Sequence, residues 1–290
     1  MSIELPEALI IANQLRERLP RAPVAGYRLV DVARMQKIGF TNRDAADFDM
    51  LVGAMVESVA ARGNTILVGF DNSITLLIAP EYGGEVRVHP PGSPPSGRHQ
   101  FRFDFDDGSA LTVWIKSMGG VMALTSGALE DNYMYRRDFD QSALDPNSAG
   151  FTLPAFSSSL AQARRAMKTA LVGKDAVVVG LSNATFQDVL LRAGIHPKRR
   201  AADLSTEEVA RLHDVIRWVI AERLRLGGKV GFRDVFGAEG RYVLAMGPHL
   251  RGQPCPQCGG VVQKLSLGGG EVWCCPVCQS NQKWCRSHDG

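Results

Sequence analysis

Apolar residues recur every three or four positions in two segments near the start of the chain, which is the spacing of one helix face. Residues 6–19 begin with Pro6, which suits a first helical turn, and they predict one helix. Residues 43–62 are followed by Gly63, a common helix stop, and they predict a second. The apolar positions in this second segment are Phe48, Leu51, Met55 and Val59.

Two β-hairpins are predicted next, the first from strand-like segments on either side of a turn and the second from alternating apolar and polar residues. Residues 65–70 and 74–79 flank an Asp-Asn-Ser turn, and residues 101–105 and 111–115 flank an Asp-Gly turn. With the two helices, these strands predict a β-sandwich-like N-terminal domain over residues 1–135, within an α+β fold.

The pattern becomes helical after a stretch rich in Ser, Pro, Gly and Asn. Residues 136–158 have this composition and predict a linker. Helical spacing follows at residues 160–171 and 183–192, and a third helix opens at Ser205, the first residue of a capping box. We therefore predict a helical C-terminal domain over residues 159–248.

The charge is distributed unequally between the two halves of the chain. Residues 1–150 carry 14 Lys/Arg and 19 Asp/Glu, a balance of −5, whereas residues 151–290 carry 19 and 11, a balance of +8. The whole-chain net charge of +3 conceals this difference. Opposite charges in the two halves indicate separate domains, of which the basic one is suited to a polyanion.

Four cysteines form two Cys-x-x-Cys pairs separated by 16 residues: Cys255, Cys258, Cys275 and Cys278. Two such pairs supply four thiolates in the spacing of a zinc ribbon, so we predict one structural zinc ion within residues 249–290. Unbound or disulfide-linked thiols are the alternative. Four protein ligands would leave no open position on the metal for water.

The location of the cysteines also bears on the cellular compartment. All six lie after residue 254, whereas a secreted disulfide framework usually spreads them along the chain. The start lacks the pattern of a secretion signal, and no apolar run is long enough to cross a membrane, so we expect a cytoplasmic protein. Cys274 and Cys285 are spare thiols in this interpretation, and His288 is a tail residue.

The order of these parts resembles the formamidopyrimidine-DNA glycosylase/endonuclease VIII family. The resemblance rests on the start Glu4-Leu5-Pro6-Glu7, on the terminal four-Cys ribbon, and on the stretch from Gly180 to Pro197. That stretch is similar to the helix–two-turn–helix DNA-binding motif of the family. The resemblance implies a role in base excision repair and a double-stranded DNA partner that is damaged or distorted.

The basic residues near this motif are candidates for phosphate contacts. A helix N-terminus at Asn183 would direct free N–H groups at a phosphate, and in the family the matching Asn contacts the DNA backbone. Lys198, Arg199 and Arg200 follow the motif and could bind further phosphates. The alternative is that Asn183 only caps its helix and that the basic run is solvated.

The catalytic residues implied by the resemblance are only partly present. In the family an N-terminal Pro attacks the sugar C1′, and the adjoining Glu serves in acid/base chemistry. Glu4 matches this Glu and Glu7 matches the second Glu of the family, but Ile3 stands where the Pro is expected. Removal of Met1 would leave the primary amine of Ser2 as a candidate Schiff-base nucleophile.

Other positions depart from the family pattern as well. Asn64 stands where the resemblance implies a phosphate-binding Lys, and Gly269 where it implies an Arg of the zinc hairpin. The Arg and Phe that fill the gap left by an everted base are missing, although Met118 could intercalate instead. Asp188 replaces a Glu at the end of the DNA-binding motif.

Three hypotheses follow from this pattern. The first is a repair glycosylase or abasic-site lyase that uses the Ser2 amine or Lys116 as nucleophile, with Glu4 or Glu7 as acid/base. The second is a non-catalytic DNA-binding protein that recognises damaged or distorted DNA or serves as an accessory factor. The third is a scaffold that binds RNA or a protein partner in place of DNA. For a DNA-binding protein that acts on or recognises damaged bases or abasic sites, we expect a monomer associated with the nucleoid.

Overall fold

A computed structural model describes residues 2–19, 22–95, 97–139, 142–268 and 270–280. The chain divides into two compact units. The first comprises Met1–Gln141 and Ala221–Tyr242, and the second comprises Ser142–Ile220 and Val243–Gly290. Within the described ranges, no helix combines the length and the apolar character needed to cross a membrane.

The first unit contains two four-stranded antiparallel sheets. The first sheet has the strand order β1-β6-β7-β5: Val24–Leu29, Phe101–Phe105, Ala110–Trp114 and Glu85–His89. The second has the order β2-β3-β4-β8: Val56–Arg62, Thr65–Phe70, Thr75–Ala79 and Gly120–Leu124. The two predicted hairpins are therefore confirmed as β3–β4 and β6–β7.

Side chains from both sheets and from helix α1 (Leu5–Arg18) share one core. Phe101 and Phe103 enter it from the first sheet, and Ile66 enters it from the second. The predicted helix over residues 6–19 is confirmed as α1, which buries Ile11 and Leu15. In β6 the buried phenylalanines alternate with half-buried Arg102 and Asp104, whereas β4 and β7 are each buried at four of their five positions.

The prediction of a long helix over residues 43–62 is wrong. This segment forms a 3-10 helix, Ala45–Leu51, followed by strand β2. Gly53 has a φ of +81°, which a right-handed helix excludes, and Val59 pairs with Val68 of β3. Sheet pairing overrode an apolar spacing that is compatible with helix. The remaining helices of these first 141 residues are α2 (Ala33–Lys37), α3 (Ser126–Asp131) and α4 (Tyr133–Phe139).

The second unit is mainly helical. The single helix predicted over residues 160–171 is instead α5 (Leu153–Gln162) followed by α6 (Met167–Leu171). Between them Ala166 forms a β-bridge with Arg200, which holds the connecting backbone in extended form. Part of the segment predicted as a linker is helical, because Thr152 caps the start of α5 and α4 extends to Phe139. The other two predicted helices are confirmed as α7 (Asn183–Ala193) and α8 (Thr206–Arg225).

The four-Cys segment forms a small hairpin of strands β9 (Gln263–Leu267) and β10 (Gly270–Cys274). Gln187 of α7 accepts a hydrogen bond from the Trp273 backbone N–H at 2.7 Å. Leu191 of α7 packs in one apolar cluster with Trp273 and Val262. The hairpin is thereby fixed against the helix of the predicted DNA-binding motif.

Candidate functional site

The two candidate catalytic carboxylates lie at the start of α1 and face two cations: Glu4 is the N-cap residue and Glu7 lies in the first turn. Arg223 comes from the last turn of α8, and Lys229 follows shortly after that helix ends. Arg223 Nη2 lies 2.8 Å from Glu4 Oε2 and 2.5 Å from Glu7 Oε2. Lys229 Nζ lies 2.8 Å from Glu4 Oε2 and 3.5 Å from Glu7 Oε2. All four residues belong to the first unit.

Solvent does not reach this cluster of Glu4, Glu7, Arg223 and Lys229, since each residue is at most 1% exposed. Burial alone would raise the pKa of Glu7, but the Arg223 and Lys229 cations outweigh it, so its pKa lies below the usual value. The Lys229 backbone N–H also donates to Glu7 Oε1 at 3.2 Å. A proton-transfer group must come within hydrogen-bond reach of its substrate, and in this arrangement protein groups surround both carboxylates.

The residues before Glu4 run along the loop that follows β4. The Ile3 backbone N–H donates to the Glu81 carbonyl at 3.0 Å, and Ser2 forms a β-bridge with Tyr82. The Tyr82 N–H in turn donates to the Met118 carbonyl at 3.0 Å. Ile3 is buried in the core, whereas the Tyr82 and Met118 side chains are about half exposed. Ser2 and Met118, two predicted site residues, are thus brought together by Tyr82.

Asn64 lies at the β2–β3 turn and is held by α4. Arg137 donates to the Asn64 side-chain oxygen and to the carboxylates of Glu81 and Asp138. Asp138 also accepts from the Thr65 hydroxyl at 2.6 Å and from the Asn64 backbone N–H at 3.2 Å. Burial would lower the pKa of Arg137, but these two carboxylates raise it well above the usual value. The cation next to Asn64 is therefore already neutralised within the protein.

In the second unit, Asn183 and Lys168 lie beside the tip of the β9–β10 hairpin. Asn183 is the first residue of α7, and a β-carbon built on Gly270 would lie 3.4 Å from its Nδ2. A β-carbon built on Gly268 would lie 3.3 Å from Lys168 Cγ. Burial lowers the pKa of Lys168 to about 8, and its Nζ lies 5.1 Å from the Phe186 ring centroid. The first residue of α7 and the Lys168 side chain are thus both next to glycines of this hairpin.

The three basic residues after this motif differ in their exposure and in their hydrogen-bond partners. Arg199 donates to both carboxylate oxygens of Glu208, each at 3.0 Å. Arg200 is exposed and donates to the Arg164 carbonyl at 3.1 Å, and Lys198 is exposed. Arg199 is therefore paired with an acid, whereas the side chains of Lys198 and Arg200 are exposed to solvent.

The four predicted metal ligands converge, with their sulfur atoms all within 4.8 Å of one another. Cys255 Sγ lies 3.9 Å from Cys278 Sγ, and Cys258 Sγ lies 3.5 Å from Cys275 Sγ. Metal–sulfur bonds of about 2.3 Å in a tetrahedron give edges of about 3.8 Å, so the spacing fits a four-coordinate ion. The backbone N–H groups of Gln257, Gly260 and Cys278 point at these sulfurs.

The other cysteine in the described part of the ribbon differs from these ligands. Cys274 is buried and is not part of the four-sulfur group, and burial raises the pKa of its thiol to about 11. Gly269, Cys285 and His288 lie outside the described residues. Asp188 is buried, pairs with Arg192 at 3.1 Å, and accepts from the Ala245 backbone N–H at 2.9 Å.

Sequence reasoning missed four of these residues: Lys168, Tyr82, Arg223 and Lys229. A signal for Arg223 was present, because it continues the buried stripe of α8 that contains Ile216, Val219 and Ile220. A charge on such a stripe indicates a buried counter-ion. No comparable signal marks the other three, because their positions depend on contacts between distant segments.

Comparison with known proteins places the whole arrangement in one family. Residues 3–115 match the family description "Formamidopyrimidine-DNA glycosylase N-terminal domain", and residues 143–233 match "Formamidopyrimidine-DNA glycosylase H2TH domain". The formamidopyrimidine-DNA glycosylase of Laribacter hongkongensis is 32% identical over 232 residues, covering 79% of this chain and 84% of the relative. The chain belongs to the formamidopyrimidine-DNA glycosylase family. The glycosylase of Roseiflexus sp. is 30% identical over 283 residues and covers 95% and 99% of the two chains.

Solved structures share the fold of this formamidopyrimidine-DNA glycosylase relative. The MutM (Fpg) protein of Thermus thermophilus aligns with a TM-score of 0.79 at 23% identity, covering 97% of this chain and all of that one. Lactococcus lactis Fpg, in a complex with DNA that contains an abasic site, gives 0.80 at 20% identity and covers 96% and 99%. The predicted α+β fold, with its helix–two-turn–helix and four-Cys modules, is confirmed.

Proposed function

We propose that this member of the formamidopyrimidine-DNA glycosylase family binds double-stranded DNA at damaged bases or abasic sites and has altered or lost the proline-based chemistry. Relatives at 30–32% identity are named as glycosylases, and Lactococcus lactis Fpg was crystallised with abasic-site DNA. The observation that carries the proposal is the buried cluster of Glu4, Glu7, Arg223 and Lys229. This cluster holds both carboxylates that acid/base catalysis would need in ion pairs. The residues that we propose to bind DNA lie in the second unit and are not part of it.

The DNA contact is assigned to the second unit. A phosphate at the N-terminus of α7 would meet backbone N–H groups, the Asn183 side chain and the Lys168 amine. Most of the Lys168 amine is charged at pH 7, because a pKa of about 8 lies above that pH. Lys198 and Arg200 would add exposed cations at the end of the motif. Arg199 contributes only if it exchanges Glu208 for a phosphate.

The loss or change of chemistry is assigned to the first unit. The residue before Glu4 is Ile3, whose N–H is a peptide group bonded to Glu81 and whose side chain is buried, so it supplies no nucleophilic amine. Glu4 and Glu7 stabilise the fold through Arg223 and Lys229 instead of exchanging protons with a substrate. At Asn64, the nearby Arg137 is paired with two acids and supplies no excess positive charge.

Recognition of the lesion is assigned to the exposed side chains beside Ser2. Tyr82 and Met118 are joined through their backbones and are both about half exposed. An aromatic ring and a flexible thioether can fill the gap that a missing or everted base leaves in a duplex. They would together take the place of the Arg and Phe that the family resemblance implies.

The four-Cys site is assigned to one structural zinc ion. Four thiolates at tetrahedral spacing suit Zn²⁺ and leave no open coordination position for a reaction. The ion would hold the β9–β10 hairpin, and through it the residues next to Asn183 and Lys168. We place the protein in the cytoplasm in association with the nucleoid, as follows from this proposed role.

Fluorescence anisotropy with three labelled duplexes tests the binding proposal. One duplex is intact, one carries a tetrahydrofuran abasic analogue and one carries 8-oxoguanine. We expect tighter binding to at least one lesion duplex than to the intact duplex. Asn183→Ala and Lys168→Met should weaken binding about tenfold or more, because each loses a bond to a charged phosphate. Lys198→Ala should lower the slope of log affinity against log salt by about one.

Lys174→Ala is the matched control, since Lys174 is an exposed lysine of the same unit that is not assigned to the phosphate site. It should leave the affinity and the salt slope close to the wild-type values. Equal affinity for all three duplexes would contradict lesion recognition. Unchanged affinity in both Asn183→Ala and Lys168→Met would contradict the assigned phosphate site.

Borohydride trapping on abasic-site DNA, together with measured base release, tests the chemistry. We expect neither a trapped complex nor released base above the background of the protein-free reaction. A trapped species that disappears in Lys116→Ala, or one mapped to the Ser2 amine, would show a working nucleophile and therefore altered, not lost, chemistry. Base release without trapping would show a glycosylase that does not form a Schiff base.

A further inference from the structure

Two loops of the first unit carry Tyr82 and Met118 and lie directly against each other. The first loop follows β4, and the second precedes β8. The Tyr82 N–H donates to the Met118 carbonyl at 3.0 Å. Gly119 has a φ of +143°, and a β-carbon built on it would overlap the Ala79 carbonyl oxygen and lie 3.0 Å from the Glu81 nitrogen. The two loops therefore approach so closely that position 119 requires glycine.

Helix α4 packs against the second of these loops. Met134 of α4 is buried in an apolar cluster that also contains Ala79 of β4 and Met122 of β8. A β-carbon built on Gly120 would lie 2.9 Å from both the Sδ and the Cε atoms of Met134. Gly120 comes two residues after Met118, so this contact fixes the backbone next to the exposed Met118 side chain.

The same helix holds the first loop through Arg137. This residue comes three positions after Met134, so both side chains extend from one side of α4. Arg137 Nη1 donates to Glu81 Oε1, and Glu81 directly precedes Tyr82. The Glu81 carbonyl also accepts from the Ile3 N–H at 3.0 Å. The Arg137 and Glu81 side chains are only 16% and 12% exposed, so little water competes for their ion pair.

Arg137 is itself held in one orientation by three partners. Its Nε and Nη2 atoms each lie 2.8 Å from an Asp138 carboxylate oxygen, and Nη2 also donates to the Asn64 side-chain oxygen. Asp138 is fixed in turn by the Thr65 hydroxyl at 2.6 Å. The planar fork of the guanidinium thus joins α4, the β2–β3 turn and the loop after β4. Lysine carries the same charge, but its ammonium lacks this fork.

This anchoring bears on lesion recognition because the Tyr82 and Met118 side chains are both about half exposed. Exposed side chains must be ordered when they enter a gap in a duplex, and each one that is ordered on binding lowers the affinity. A backbone fixed by an ion pair and by close packing limits the directions that these side chains can take. Since the phosphate contacts are assigned to the second unit, loosening these loops should affect the preference for a lesion more than the affinity for intact DNA.

We propose that Arg137 is a positioning residue for lesion recognition. Through Glu81 it holds the loop that carries Tyr82. It thereby keeps the Tyr82 and Met118 side chains in the orientation that fills the gap at a missing or everted base. Arg137 acts through Glu81, and its fork of N–H groups matters more than its charge. This inference rests on the proposed recognition of lesions by Tyr82 and Met118.

Fluorescence anisotropy of the full-length protein tests this inference, with the intact duplex and the lesion duplex that wild type binds more tightly. We expect Arg137→Lys and Arg137→Gln to lower the ratio of the two affinities about fivefold, because the side chains that fill the gap must then be ordered on binding. The affinity for the intact duplex should stay close to the wild-type value. Because lysine keeps the charge and removes the fork, a wild-type ratio in Arg137→Lys would overturn the proposal.

Two further variants separate positioning from a general loss of stability. Arg136→Gln is the matched control, because Arg136 is the exposed neighbour of Arg137 in α4, and it should keep the wild-type ratio. Glu81→Ala leaves Arg137 paired with Asp138 and should lower the ratio as Arg137→Gln does. The variant with both changes should lower it no further, since each breaks the same contact. Additive losses would overturn the proposal, and circular dichroism establishes that each variant is folded.

Fluorine NMR of protein labelled with 3-fluorotyrosine gives a second readout that needs no DNA. Tyr82→Phe identifies the Tyr82 resonance. This resonance should shift or broaden in Arg137→Lys and Glu81→Ala but not in Arg136→Gln. An unchanged resonance in both of the first two variants would overturn this inference while the proposed function stands. Equal affinity of wild type for all duplexes would instead contradict the proposed function and overturn the inference with it.

Discussion

Arg223 donates to both carboxylate oxygens of Glu7, and neither side chain is reached by solvent. The two residues lie 216 positions apart in the sequence, yet both belong to the first unit. Together with Glu4 and Lys229 they join the first turn of α1 to the segment that follows α8. Two candidate acid/base groups are thereby held in buried ion pairs with cations of the same unit.

Replacing Arg223 by Met should destabilise the first unit strongly. The substitution leaves two buried carboxylates with one cation, and breaking a buried ion pair on one side costs about 3–5 kcal/mol. Urea denaturation followed by circular dichroism measures the change. Arg225→Met is the control, because Arg225 is exposed in the same turn and pairs with Glu222. Equal unfolding midpoints for Arg223→Met and wild type would contradict the role assigned to the cluster.

Glu7 should make the protein sensitive to acid. Its pKa in the folded protein lies below the usual value of 4.5, so its charged form contributes stability at neutral pH. That contribution is lost as the pH falls below 4.5 and through the folded-state pKa, because the unfolded chain then binds the proton first. Glu7→Gln should therefore flatten the dependence of the unfolding free energy on pH below the usual glutamate pKa of 4.5.

The comparison with Glu57→Gln isolates this effect, since Glu57 is an exposed glutamate of the same unit. That variant should retain the wild-type pH dependence. Identical profiles for Glu7→Gln and wild type would mean that Glu7 does not carry the acid sensitivity.

DNA binding should weaken as the pH rises through about 8, because Lys168 then loses its proton. The contribution of Lys168 to the stability of the folded protein has the opposite pH dependence. Between about 8 and 10.5 the unfolded chain holds a proton that the folded protein has released, so this group increases stability as the pH rises. Lys168→Arg stays charged and should bind DNA with little change between pH 7 and 9. Anisotropy titrations at constant salt measure the DNA affinity of both proteins at each pH. An equal loss of affinity in wild type and Lys168→Arg would exclude Lys168 as the titrating group.

Cys258→Ser should remove the metal ion, while Cys274→Ser should retain it. The first removes one of four converging sulfurs, whereas Cys274 lies outside that group. Elemental analysis of the purified proteins gives the metal content. Hydrogen exchange should show faster exchange in β9 and β10 of Cys258→Ser with little change in β3 and β4, since the first unit has its own core. Equal zinc in both variants would contradict the ligand assignment.

Gly63→Ala should destabilise the β2–β3 turn. Gly63 has a φ of +63°, and a β-carbon there would lie 2.5 Å from Asp138 Cγ. The left-handed conformation alone costs a non-glycine residue about 1–2 kcal/mol. Gly127→Ala is the control, because Gly127 is helical and has open space where the β-carbon would lie. A thermal midpoint for Gly63→Ala at or above that of Gly127→Ala would contradict this expectation.

The contrast between residues 43–62 and the Cys-x-x-Cys pairs shows where sequence reasoning succeeds. The cysteine spacing is a local requirement, because two residues between thiols set each knuckle whatever the rest of the chain does. The spacing of Phe48, Leu51, Met55 and Val59 is compatible with a helix, but pairing with β3 decides for a strand. Gly53, with its positive φ, was the local sign against a continuous helix.

The sequence by itself determined the α+β fold, the hairpins, the helices α1, α7 and α8, the group of four cysteines and the family to which the chain belongs. These follow from periodicity, turn chemistry and motif spacing, all of which are short-range properties. Only the tertiary structure decided that Arg223 and Lys229 enclose Glu4 and Glu7, and that Lys168 lies beside the hairpin tip. Such pairings join segments that are far apart in the chain. Burial removes the water that would compete for these groups, and so strengthens the interaction between them.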